Sequence, residues 1–82
     1  MLLGRVIGAV VSQQKEDCLV GKKMLLCETG DGRAKTRLVA VDLVGAGPGS
    51  EVLISRRYGC GEKGDYVDDR IVGIVDSISE EK

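Results

Sequence analysis

VAVDLVGAGPGSEVLIS, running from Val39 to Ser55, decides how the chain folds. Val39, Ala40, Val41, Leu43 and Val44 form an apolar, β-branched run interrupted only by Asp42. Gly45, Ala46, Gly47, Pro48, Gly49 and Ser50 follow, and Glu51 to Ser55 resume an alternating pattern. Apolar β-branched runs bounded by glycine and proline are strand signatures. Three glycines around one proline supply both the positive φ and the fixed φ that a sharp reversal needs. The stretch reads as a hairpin, with further strands assembled around it.

Working outward, Leu2 to Val11 is a first strand, apolar on both parities, with Arg5 its only charge. A strand apolar on both faces is covered on both faces. In one small sheet that means a closed barrel beside a neighbouring subunit, or a sandwich. Gly4 and Gly8 are expected at bends or bulges. Met24 to Glu28 is a second strand, Asp31-Gly32 marks a hairpin, Lys35 to Val44 returns, and Glu51 to Arg56 is the fourth. Arg57 to Tyr66, with three glycines and four charges, reads as an exposed loop. Val67-Asp68-Asp69 reads as a short helical turn, since Asp is a good N-cap, and Ile71 to Val75 as the last strand. The expected fold is all-β: a five-stranded, OB-like Greek-key barrel, closed, in one domain over residues 1–82.

The 82 residues include no Phe, no Trp and two tyrosines, Tyr58 and Tyr66. A chain of this length buries only roughly 60–65% of its unfolded surface, and the aromatic share of core energy is almost missing. Small domains in this position add disulfides, metal or partners. Cys18, Cys27 and Cys60 are odd in number and widely spaced, and histidine is absent, which removes the familiar zinc patterns. The thiols read as reduced and partly buried; for Cys60, in its glycine-rich loop, a redox or intersubunit role is the second reading. Association with other copies is therefore the expected supplement.

Net charge is −1, from 12 basic and 13 acidic residues, so no global field steers the chain to nucleic acid or anionic membrane. The charges are segregated. Arg33, Lys35, Arg37, Arg56 and Arg57 are central, while Glu62, Asp65, Asp68, Asp69, Asp76, Glu80 and Glu81 fall in the last third. That pattern is either a solvated surface of mixed sign or a head-to-tail contact between copies. The opening residues lack a basic segment followed by a long apolar one, and no run approaches the ~20 residues of a membrane span. The expectation is a soluble, cytoplasmic protein.

Chemistry finds little foothold. GAGPGS lacks the GxGxxG spacing and the following helix of a dinucleotide site, and it lacks the GK[ST] of a phosphate loop. No histidine is present as general base, and no Ser or Cys has an evident base partner. Asp68-Asp69 lacks the multi-oxygen spacing of a calcium loop. Asp42 either accepts hydrogen bonds from the glycine loop or is simply exposed. No catalytic residue, cofactor or metal is expected. Binding of single-stranded nucleic acid, through Arg33 to Arg37 and Arg56-Arg57, is the second functional reading; it lacks the stacking aromatics such binding uses.

LLGRVIGAVVSQQK, LVGKKMLL, LVAVDLVGAGPGSEVLIS and VDDRIVGIVDSI, taken in order, resemble the EutN/CcmL family, the pentameric vertex proteins of bacterial microcompartment shells. The likeness spans nearly the whole chain and is weakest over Cys27 to Arg37 and Arg57 to Tyr66. It implies a non-enzymatic structural protein of the shell, a five-stranded OB-like barrel assembled into rings of five, with hexameric shell proteins as partners. Gly45, Ala46, Gly47 and Gly49 stand at the family's glycine-rich loop, which the resemblance places near subunit contacts and toward the ring axis. Glu51 matches the acid after that loop, although Ser50 intervenes, and Pro48 stiffens the loop. Asp69-Arg70 stand where the family has small residues. Arg57, Cys60, Glu62 and Lys63 lie in the segment expected to carry compartment-specific contacts. A ring of five needs two different patches on each copy, in keeping with the thin core and the segregated charge.

Overall fold

The computed structural model describes residues 1–12, 21–59 and 66–80. Five strands make the fold: β1 Leu2–Val10, β2 Lys23–Thr29, β3 Thr36–Asp42, β4 Glu51–Gly59 and β5 Tyr66–Ile74. They close in the order β1-β2-β3-β5-β4, with β4 returning to β1. Every neighbouring pair is antiparallel except β3 with β5, which run parallel through Val41–Arg70 and Asp42–Ile71. The all-β, OB-like closed barrel is thus as expected.

The hairpin is not. β3 does not pair with β4: it lies between β2 and β5, and residues 43–50 cross over instead of folding straight back. The crossing segment docks on β1, through Val6 N to Ser50 O (2.9 Å) and Gly49 N to Val6 O (2.8 Å). Those bonds deliver Glu51 to β1, where it faces Arg5 in register. Turn residues announced the change of direction but could not name the partner strand.

Two further expectations give way to strand pairing. Val67, Asp68 and Asp69 are not a helical turn; they lie in β5, held by a ladder that includes Tyr58–Val67 and Arg56–Asp69. The same ladder takes Arg57 to Gly59 and Tyr66 out of the expected loop, leaving 60–65 outside the described residues. The one short helix among the described residues is a 3-10 turn, Gly32–Ala34, in the six-residue connection from β2 to β3. There Gly30 (φ 78°) and Gly32 (φ 54°) are left-handed, so the Asp-Gly signal marks a longer hairpin loop and not a two-residue turn.

The core holds Val6, Leu25, Cys27, Ala40, Ala46, Val52, Ile54 and Ile71, with Leu2 and Leu38 packed against it. No aromatic ring is among them. Each of the larger aliphatics contributes about 1.5–3 kcal/mol on burial. Gly8 flanks a register break after Val6, the bend expected of it, whereas Gly4 serves packing. A Cβ there would stand 3.0 Å from Ile54 Cδ1 and 3.1 Å from Thr29 Cγ2.

Candidate functional site

The glycine loop is built from local rules. Asp42 ends β3 with a side chain only 2% exposed, accepting a 3.1 Å bond from Val44 N and standing 3.8 Å from Lys23 Nζ. Simple exposure is thus excluded for Asp42, and its carboxylate does accept a backbone bond, but from Val44 just before the glycine loop instead of from the loop's own residues. Lys23 Nζ also donates to Ala46 O at 3.0 Å. Ser50 N bonds Gly47 O at 3.0 Å, with Pro48 and Gly49 (φ 87°) between them, the arrangement of a type II turn. Ser50 Oγ accepts from Gly47 N at 3.2 Å.

The expected loop residues divide. Ala46 is 1% exposed and belongs to its own chain's core, so its side chain stoppers the barrel. Gly45, Pro48 and Gly49 are exposed, as are Leu43 and Val44 just before them. Gly47 has open space around its Cα and no left-handed φ, unlike Gly45 (φ 83°) and Gly49. Glu51 leaves the loop for the outside of the barrel and bonds Arg5. Cys60, Glu62 and Lys63 lie outside the described residues, as does Cys18, and Arg57 is placed by its backbone in β4.

Outside the barrel, alternation puts Glu51, Arg5, Glu28 and Arg37 level with one another on β4, β1, β2 and β3. Their signs alternate. Arg5 Nη2 stands 3.0 Å from Glu51 Oε1, while Glu28 has Lys35 at 3.4 Å and Arg37 at 3.7 Å. To one side of this charged row, Leu3 faces Leu53, both exposed, with Gly73 next in register. To the other side, Leu26 faces Val39. Sequence reading saw apolar residues on both parities of β1 but not this division, because it needs the register between strands.

The basic residues of the nucleic-acid reading do not make a groove. Lys35 and Arg37 flank Glu28, Arg56 is bonded to Asp69 at 2.9 Å, and β5 separates β3 from β4. Cys27 is buried in the core, with its thiol pushed above the usual thiol range by burial first and then by Asp42 and Asp69. Among the described residues, no three potential metal ligands come together.

The described residues define a closed five-stranded all-β barrel that leaves large apolar side chains and a row of alternating charge on its outside. Comparison with known proteins gives the family. Residues 1–76 match the model EutN_CcmL, "Ethanolamine utilisation protein EutN/carboxysome", and the chain belongs to that family. It is 43% identical over 90 residues to the bacterial microcompartment shell vertex protein PduN of Salmonella typhimurium, covering 96% of this chain and 99% of that protein. The carboxysome shell vertex protein CcmL of Gloeobacter violaceus is 43% identical over 86 residues, covering 96% and 86%. In three dimensions the chain resembles the GrpN pentameric microcompartment shell protein from Rhodospirillum rubrum, with TM-score 0.81 and 36% identity over 99% of this chain and 100% of that one.

Proposed function

We propose that this chain is a vertex protein of a bacterial microcompartment shell, one domain over residues 1–82 that assembles as a homopentamer and performs no catalysis. The observation that carries the reading is the full-length match to vertex proteins of several shells, combined with superposition on a pentameric shell protein. Physical argument agrees. A flat hexagonal sheet cannot close without pentagons, so a shell tiled by hexameric proteins needs a fivefold part at its corners. A barrel of 82 residues without Phe or Trp gains from sharing flanks with identical neighbours.

In this reading the partners beyond the ring are hexameric shell proteins of the same compartment. The exposed loop residues Gly45, Pro48 and Gly49 lie toward the ring axis, and the segment bearing Arg57, Cys60, Glu62 and Lys63 carries compartment-specific contacts. The test is shell closure. Hexameric shell proteins produced with this chain should yield closed, angular shells by electron microscopy, and without it open tubes or sheets. Closed shells in both preparations would refute the role. Titration with labelled single-stranded DNA, followed by anisotropy at several salt concentrations, addresses the other reading: salt-sensitive binding would favour it.

A further inference from the structure

We infer that the ring of this chain closes head to tail through two particular faces: Leu3, Leu53 and Ile78 of one copy against Leu26 and Val39 of the next. The inference rests on the pentameric reading above and names the surfaces that produce it.

Three observations converge. First, each face carries open apolar side chains: Leu3 (48%) and Ile78 (57%) on one, and Val39 (44%) beside the half-buried Leu26 on the other. Leu3, Ile78, Arg5, Glu51 and Lys35 are among the residues lining an open groove of about 300 Å³, room for an aliphatic side chain from outside. Secondly, the faces are different and separate. One lies on β1 and β4 with the C-terminal stretch, the other on β2 and β3, with the Glu51–Arg5–Glu28–Arg37 row passing between them. A cyclic ring requires such a pair, since a single self-complementary patch gives a two-fold dimer.

Thirdly, charge selects the partner. Ile78 sits between the exposed Asp76 and Glu80. Arg37 stands two residues from Val39 on the same face of β3, with its side chain 68% exposed. Joining unlike faces brings acid to base, whereas joining two Ile78 faces sets acid against acid, which specific interfaces avoid. The occupant of the groove is therefore the Val39 face of a second copy. The segregation of basic and acidic residues along the sequence is used here as polarity around the ring.

Cysteine pairs test this directly. In a background with Cys18 and Cys60 replaced by serine, Val39→Cys with Ile78→Cys should, on mild oxidation, give a ladder of linked species up to five chains. Either substitution alone should give none, because symmetry keeps identical residues apart. Val39→Glu should shift the assembly from pentamer to monomer by at least tenfold in the concentration for half-assembly, while circular dichroism reports an intact barrel. Should the parent be a pentamer and the double variant remain unlinked, the faces are wrong and the vertex role stands. Linked dimers from a single substitution also overturn the inference. A parent that is no pentamer at all removes the vertex reading together with it.

Discussion

Arg56 on β4 and Asp69 on β5 are register partners joined by a 2.9 Å bond from Nε to Oδ1, and their exposures are opposite: the aspartate side chain is 7% exposed, the arginine side chain 60%. The acid is committed to the interior and the base reaches in from solvent to satisfy it. Water screens the Coulomb part of such a pair, so its importance lies in the desolvated carboxylate. Arg56→Met leaves that carboxylate without its donor and should cost about 1–3 kcal/mol. Adding Asp69→Leu should recover part of the loss, since an apolar pair replaces a broken ionic one. Urea unfolding at fixed protomer concentration measures both; a double variant weaker than Arg56→Met contradicts the account.

Glycine substitutions should rank by backbone, not by sequence neighbourhood. Gly30 has φ 78°, and a Cβ there would lie 2.5 Å from Ala34 O, a backbone atom that cannot swing away. Gly30→Ala should therefore cost more than the roughly 1 kcal/mol of a left-handed alanine in open space, the case at Gly49 (φ 87°). Gly47→Ala meets nothing within 4 Å and has no left-handed φ, so it should change stability by less than about 0.5 kcal/mol. Thermal unfolding of the three variants gives the order Gly30→Ala, Gly49→Ala, Gly47→Ala, from most to least damaging. A Gly47→Ala variant as weak as Gly30→Ala would show that the loop geometry is misread.

Cys27 should be unreactive in the folded protein. Its thiol is buried, weakly bonded to Leu25 O at 3.9 Å, and raised in pKa by desolvation and by Asp42 and Asp69. Iodoacetamide at pH 8, followed by peptide mapping, should modify Cys27 slowly in buffer and rapidly in urea. The linkage has a definite sign. The unfolded thiol ionises first, so the folded state binds more protons above the ordinary thiol pKa of about 8.5. The thiol's contribution to stability therefore declines as pH rises through that value. A Cys27→Ala variant should lose this part of the alkaline decline; an unchanged slope assigns it elsewhere.

How far the sequence can be read is clear from particular residues. Val6, Leu25, Val52, Ile54 and Ile71 announce themselves as core through strand patterning, and all five are buried. The partner of each strand is another matter, because pairing is decided by long-range contacts such as those of Val6 with Gly49 and Ser50. Asp69 looked like a cap because Asp is rare in strands; Arg56, its register partner on the preceding strand, offsets its burial. At the candidate site, Asp42 and the Pro48-Gly49 turn were legible from local chemistry. Ala46 as a core stopper was not, since nothing local separates a buried alanine from an exposed one. The outer faces required the register, which only the closed barrel supplies.

Native mass spectrometry of the unmodified protein at low micromolar concentration tests the central claim most directly. A dominant species of five times the 8.7 kDa chain, persisting on dilution, is the predicted result. A folded monomer or a two-fold dimer as the stable species would contradict it.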